Sequence, residues 1–240
     1  MADEGKISVG GSGWAPLGHP VFDKGKDSAS TTDSRIEYQG KDNVAPGLVL
    51  SLPGGGHNAV RISYFEVKAD GSTTAATDLT LFDQGYAAGT FVTTEYKLQN
   101  IKLSYDYVTW PYPIGSRRFR LKTLWQVQFT KVSSVFTAPF SGDPTGSVAT
   151  GSKTIILPTL GLGPAYYLSR NFHIEIDGSG FGIPHHAAIG DVDAFASYKV
   201  SRIEIRGGLR YYYFKTNPNS DFYTRGVLAG GYIGLRFYLN

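Results

Sequence analysis

Arg118-Phe119-Arg120-Leu121-Lys122-Thr123-Leu124-Trp125-Gln126-Val127-Gln128-Phe129-Thr130 sets apolar or aromatic residues at nearly all its odd positions and charged or amide side chains at nearly all its even ones. Successive side chains of an extended chain point to opposite faces, so this is a strand with one apolar and one wet face. Globular strands usually stop at about 5 to 6 residues. Here the pattern persists through the whole stretch, which is long enough for the wall of a membrane-spanning barrel.

The same two-faced pattern returns along the chain. Asn100, Lys102, Ser104 and Asp106 alternate with Ile101, Leu103, Tyr105 and Tyr107. Arg202, Glu204, Arg206 and Arg210 oppose Ile203, Ile205, Leu209, Tyr211 and Tyr213. His173, Glu175, Asp177 and Ser179 oppose Phe172, Ile174 and Ile176, while Asp191, Asp193, Ser197 and Lys199 oppose Val192, Ala194, Ala196, Tyr198 and Val200. Each of these strands carries charge on a face that must be wet or paired.

Composition is compatible with that reading. The 240 residues are 41% hydrophobic with a mean hydropathy of -0.17, and none of the apolar runs approaches the roughly 18 residues of a membrane helix. Alternation conceals a barrel's hydrophobicity from such averages. Gly, at 30 of 240 residues, exceeds the usual share of about 7%, and 16 Tyr and 14 Phe suit interfacial belts. The absence of Cys excludes disulfides and thiolate metal sites. A net charge of +3 is too weak to point to nucleic acid. The start, Met1-Ala2-Asp3-Glu4-Gly5, is polar and runs straight into strand-like Lys6-Ile7-Ser8-Val9. For an exported protein this implies a leader already removed and Met1 supplied afterwards, although a cytosolic chain would begin the same way.

Turn chemistry divides the chain into ten strands, at 5–14, 44–53, 57–69, 90–108, 117–135, 153–168, 171–183, 187–199, 202–215 and 224–239. A turn at Gln99-Asn100 would instead give eleven and spoil the order of the connectors. Those connectors alternate: Pro53 to Gly56, Trp110 to Gly115, Ser169 to Asn171 and Val200-Ser201 are short, whereas 15–43, 70–89 and 136–152 are long and polar. The segments around Pro184-His185-His186 and from Asn217 to Tyr223 are shorter than that alternation asks. Short periplasmic turns and longer extracellular loops are expected, in a single domain spanning 1–240. Tyr105, Tyr107, Phe119, Tyr166, Phe172, Tyr198 and Phe237 fall on the apolar face near the short-turn rim, and Tyr64, Phe129, Tyr211 and Tyr213 nearer the other. Two aromatic belts mark two membrane interfaces.

Residues 224 to 239, with Val227, Ile233, Leu235, Phe237 and Leu239 at alternate positions, resemble the closing strand of Gram-negative outer-membrane β-barrels. The likeness covers the whole chain as architecture. It implies an all-β, closed, antiparallel, up-and-down transmembrane barrel in the bacterial outer membrane, in contact with its lipid. It also implies that the last strand is read by the barrel assembly machinery during insertion, although the chain ends in Asn240 rather than an aromatic residue.

The wet face gives a charge map of the lumen. Lys102, Arg118, Arg120 and Lys122 are basic, near Asp106; Glu175, Asp177, Asp191 and Asp193 are acidic; Arg202, Arg206, Arg210 and Arg236 are basic again, around Glu204. Eight strands enclose an interior just filled by side chains and about sixteen leave a channel, so ten imply a plugged core or a thin pore. The expectation is a charge-paired, largely filled lumen in a structural or partner-binding barrel, with possible partners met through the long loops. The alternatives are a porin-like solute or ion channel, an omptin-like or lipid-modifying enzyme, and a soluble lipocalin-like barrel with its apolar face inward.

Ten-stranded outer-membrane proteases carry acidic residues and a His near the long-loop rim, where this chain has His185, His186, Asp191 and Asp193. Adjacent residues of a strand point apart, so His185 and His186 cannot both enter one site, and no enzymatic activity is expected. His173, Glu175 and Asp177 have a spacing that could approach a metal but fit the ion-pair wall better. Gly54-Gly55-Gly56 is a turn, and no cofactor is expected. Glycines crowd the first and last strands, consistent with close backbone approach, a bend or a weak seam.

Overall fold

The computed structural model describes residues 6–18, 21–24, 35–37, 40–42, 44–55, 57–76, 78–81, 84–111, 118–139, 147–184, 186–216 and 222–239. Ten long strands make its wall: β1 (Ser8–Leu17), β2 (Ala45–Pro53), β3 (Ala59–Thr74), β4 (Phe91–Trp110), β5 (Phe119–Ala138), β6 (Ser147–Tyr167), β7 (Phe172–Gly182), β8 (Ala188–Val200), β9 (Ile203–Lys215) and β10 (Phe222–Tyr238). Neighbours in the chain pair antiparallel, and β1 pairs with β10 from Ser8↔Tyr238 to Leu17↔Ala229. That last ladder closes the cylinder and leaves no edge along most of the wall. Gln99 and Asn100 lie within β4, so the eleven-strand alternative is excluded.

Strand ends follow the hydrogen bonding. β1 begins and ends three residues later than its sequence pattern predicts, and takes in Pro16. Its ladder with β2 stops at Trp14↔Ala45, so Pro16 has a neighbour on one side only, where a missing N–H is tolerated. β6 starts at Ser147 rather than 153, because Ser147 to Ser152 pair with β5 although their side chains are mostly small. It pairs with β7 only from Leu160↔Gly180 to Tyr167↔His173, and Pro158 lies on the stretch beyond. Segments expected as loops also carry strands: Val21–Lys24 pairs with Phe222 to Arg225, Gly40–Asp42 with β3, and Leu79–Leu81 with Gln84–Tyr86.

Exposure locates the membrane. Trp125 is 58% exposed, and Ile101, Leu103, Val127, Leu160, Ile174, Ile203, Ile205 and Leu235 also face outward. The lower belt of Tyr105, Tyr107, Phe119, Tyr166, Tyr198 and Phe237 is exposed near the short-turn rim. Tyr64, Ile101, Phe129 and Ile156 line up across β3 to β6 as an upper row. With a rise of about 3.3 Å per residue and a tilt near 40°, the climb from Phe119 to Phe129 is about 25 Å, the height of an outer-membrane apolar band.

Above that row the two faces exchange character. Glu66, Lys68, Glu95, Lys97, Gln99, Lys131 and Ser133 now look outward. Inside, Phe65, Val67, Val92, Leu98, Val132, Phe136, Ile155, Leu157, Ile189, Phe214 and Leu228 form a continuous buried cluster with the Tyr212 ring. Tyr86, on the short hairpin between β3 and β4, joins this cluster and donates its hydroxyl to the Phe136 carbonyl at 3.3 Å. β5 shows the exchange in one strand: its outward face passes from Trp125 and Val127 to Lys131 and Ser133, its inward face from Lys122 and Gln126 to Val132 and Phe136. The 20 residues of β4 and of β5 would rise about 50 Å, roughly twice the apolar band, so the upper half stands in water and folds like a soluble barrel.

Candidate functional site

Parity along each strand delivers the charges to the lower half of the lumen. Lys102 on β4 reaches Asp191 on β8 at 2.8 Å, and Arg210 on β9 reaches the same carboxylate at 3.0 and 3.2 Å. Lys122 on β5 pairs with Glu175 on β7 and stands 3.8 Å from Asp177. Arg61 on β3 pairs with Asp106 on β4 and reaches across to Asp177 at 3.4 Å. Arg206 Nε donates to Glu204 at 2.6 Å, and the Tyr238 hydroxyl donates to the same carboxylate. Cations also cover rings: Arg210 lies 4.1 Å from the Phe65 centroid, Arg120 4.6 Å from Tyr167 and Lys199 4.1 Å from Tyr238. A charge buried this way is costly unless another group compensates it, and most of these are compensated by a partner.

On the side of β4 to β6 a layer of amides and hydroxyls lies between these charges and the apolar tier, whereas Arg210 packs directly on the Phe65 ring at the tier's edge. Asn100 Nδ2 donates to Thr130 at 2.9 Å and to Tyr212 at 3.1 Å, while Gln128 Nε2 donates to Thr159 Oγ1 at 3.1 Å and that hydroxyl donates to Gln126 Oε1 at 3.1 Å. Three tiers therefore follow one another along the axis, ionic, then neutral polar, then apolar.

A cavity of about 110 Å³ lies in the ionic tier. On one side stand Lys102, Asp177, Asp191, Asp193, Arg206 and Arg210; on the other the wall of β1, β2 and β10 contributes the small residues Gly11, Ser12, Gly47 and Gly234 beside larger ones such as Val49, Tyr232 and Arg236. A Cβ on Gly47 would come within 2.5 Å of Ser12 Oγ, and one on Gly234 within 3.2 Å of Ser12 Cβ. Backbone would crowd a Cβ on Gly234 as well, through the Gly11 carbonyl at 3.1 Å, and one on Gly10 through the Leu235 carbonyl at 2.9 Å, so close backbone approach accounts for glycine at these two seam positions. A second cavity of about 50 Å³ opens toward the short turns, and Arg61, Arg206 and Arg236 border both.

Twelve of the fourteen lumen charges expected from the sequence lie inside: Lys102, Asp106, Arg120, Lys122, Glu175, Asp177, Asp191, Asp193, Glu204, Arg206, Arg210 and Arg236 are buried or half-buried on inward positions. Arg118 and Arg202 are exposed at the short-turn rim, beyond the strand ends, and take no part in the buried network. Arg61 escaped the sequence reading because the inward face of β3 runs Ala59, Arg61, Ser63, Phe65, Val67 and crosses from one tier to the next without alternating with polarity. Its one signal was a lone charge between the outward Val60 and Ile62.

His185 lies outside the described residues. His186 is exposed on the long-loop rim, while Asp191 and Asp193 belong to the ionic tier. His173 joins the wall as the spacing indicated: its Nε2 lies 3.5 Å from Glu175, Ser197 Oγ lies 2.9 Å from its Nδ1, and its ring stacks on Tyr167. Among the described residues, no group of three His, Asp or Glu is placed to hold a metal ion.

The closed ladder, the outward belt and the inward charges decide the architecture. The fold is that of an outer-membrane β-barrel. Among solved structures, the outer membrane protease OmpT of Escherichia coli matches 98% of this chain and 97% of its own at 11% identity, with a TM-score of 0.61. The major outer membrane protein of Thermus thermophilus matches 98% and 99% at 15% identity, TM-score 0.45, and Ail of Yersinia pestis 97% and 99% at 10%, TM-score 0.40. No family model and no curated protein matches. At such identities the barrel is shared as a fold.

Proposed function

We propose that this barrel is a non-conducting, non-enzymatic outer-membrane scaffold that carries a rigid β-platform beyond the bilayer and meets a cell-surface partner through its long-loop rim. The observation that carries the reading is the apolar tier. Phe136, Phe214, Leu98 and Tyr212 are fully buried in the upper lumen, where an aqueous path would need wet walls. Charge pairing below supports it, since Lys122 and Glu175 spend their charges on each other rather than on a passing ion. The non-enzymatic part of the reading is supported at the rim, where His186 lacks the carboxylates its sequence neighbourhood promised, Asp191 and Asp193 being held in the ionic tier. On this reading the outward belt meets lipid, and β10, closing on β1, is the strand presented to the assembly machinery. Recording in planar bilayers is the test: the barrel is expected to stay silent, and steady, reproducible unitary openings would overturn the proposal.

A further inference from the structure

Glu204 and Arg236 are directly opposed on β9 and β10 and both point inward. The expected pair does not form. Glu204 is occupied by Arg206 Nε and by the Tyr238 hydroxyl, leaving Arg236, only 8% exposed, without a hydrogen bond or ion pair among the described residues and with its Nε buried and unmatched. A guanidinium carries five donors and stays charged, so leaving one buried in this state is costly unless a ligand supplies acceptors.

The space beside Arg236 has the chemistry to receive such a ligand. The cavity of about 50 Å³ at the short-turn end is bordered by Arg61, Lys122, Arg170, Lys199, Arg206 and Arg236, against two carboxylates, Glu175 and Glu204. Lys122 and Arg206 pair with these two and Arg61 with Asp106 and Asp177 outside the lining, so the surplus of positive charge lies with Arg170, Lys199 and Arg236. Glu175 is held by Lys122 and flanked by His173, and Glu204, though near enough to attract Arg236, has its oxygens taken by Arg206 and Tyr238. An excess of cations around a small pocket, with a planar fork among its walls, matches a tetrahedral oxyanion, which accepts the two parallel N–H bonds that a guanidinium offers.

We propose that the short-turn end of the lumen is a binding site for a phosphate group, with Arg236 as its principal ligand. The group arrives either as free inorganic phosphate or on the head of a lipid in the inner leaflet. The site is independent of whether the barrel conducts.

The test is calorimetric titration of the full-length barrel, in octyl glucoside, with inorganic phosphate. Saturable binding is expected, weakened about tenfold or more in Arg236→Gln, as loss of a charge-assisted contact implies, and unchanged in Lys131→Gln on the outer face. Glu204→Gln, which removes the competing carboxylate, is expected to tighten it. That variant also keeps the proposal testable should Arg236→Gln fail to fold, because a purely structural role for the pair would not make binding stronger. A parallel titration with dihexanoyl phosphatidic acid separates the sources: tighter binding than inorganic phosphate assigns the lipid, weaker binding assigns the free ion. Absence of saturable binding of both probes to the unmodified barrel, or equal binding by Arg236→Gln, would overturn the site.

Discussion

Lys122 and Glu175 are both almost fully buried, so each is the other's reason for staying charged. Removing one partner strands an uncompensated charge, and Lys122→Met should cost on the order of 3 to 5 kcal/mol, whereas the double change Lys122→Met/Glu175→Met should be near neutral or stabilising. Urea unfolding of the two variants in lipid vesicles checks the contrast; equal losses would show that the pair is not the unit. Glu66 behaves differently, because it stands on the outer face above the upper aromatic row. Burial opposes its ionisation, but hydrogen bonds from Lys68, Tyr64, Lys97 and Gln99 prevail and hold its carboxyl down at about 2. A carboxyl lowered on folding stabilises the native state above its ordinary value of 4.5 and loses that contribution as pH falls toward 2. The urea midpoint of the unmodified barrel should therefore drop more between pH 6 and pH 3 than that of Glu66→Gln; parallel pH profiles would contradict the assignment. Residues of this kind were legible where alternation was strict, as at Lys122 and Glu175. Partnership was not, since whether Glu204 would choose Arg206 or Arg236 depends on rotamers that a strand pattern does not encode.

β5 shows what an element's periodicity reveals and what it hides. Period two identified the strand and its faces, and a length beyond the globular norm identified a barrel wall. The exchange of faces after Phe129 was present in the same string, as Lys131 and Ser133 follow Trp125 and Val127 on the odd positions. It was hidden because the reading, although it carried the strand to residue 135, kept one face apolar along its whole length. The same bias shortened β3 and β6, whose upper parts are polar or small on the outside and held by their ladders. Substituting one charge at two heights separates these halves. Trp125→Arg places a guanidinium in the hydrocarbon and should cost about 2 to 4 kcal/mol, while Ser133→Arg, eight residues higher on the same face, should cost close to nothing. Reversible unfolding in vesicles measures both. Comparable losses at the two positions would place Ser133 within the bilayer and shorten the platform proposed above it.

At the scale of the whole molecule the tiers lie in series, and a barrier in series has consequences that no single strand discloses. The strand count and closure were legible from turns and alternation, since an up-and-down barrel pairs each strand with its chain neighbour. Stacking of the tiers was not, because it follows from staggered registers that bring Arg61, Asp106 and Asp177 from distant parts of the chain to one level. Flux must pass both the ionic tier, where Arg61, Arg206 and Arg236 divide the two cavities, and the apolar tier around Phe136 and Tyr212. Opening one leaves the other closed. Phe136→Ala/Tyr212→Ala should therefore remain silent in planar bilayers, although each truncation of a buried ring costs about 3 to 5 kcal/mol and folding must be verified by circular dichroism. Arg61→Ser/Lys122→Ser/Glu175→Ser should also be silent, its lower half wetted but still sealed above. Only the five changes combined should pass ions, with a conductance well below that of a sixteen-strand pore because ten strands enclose a narrower lumen. Conductance from the upper pair alone would show that the paired charges permit ion passage, and the barrel would then be a gated pore closed by its apolar tier.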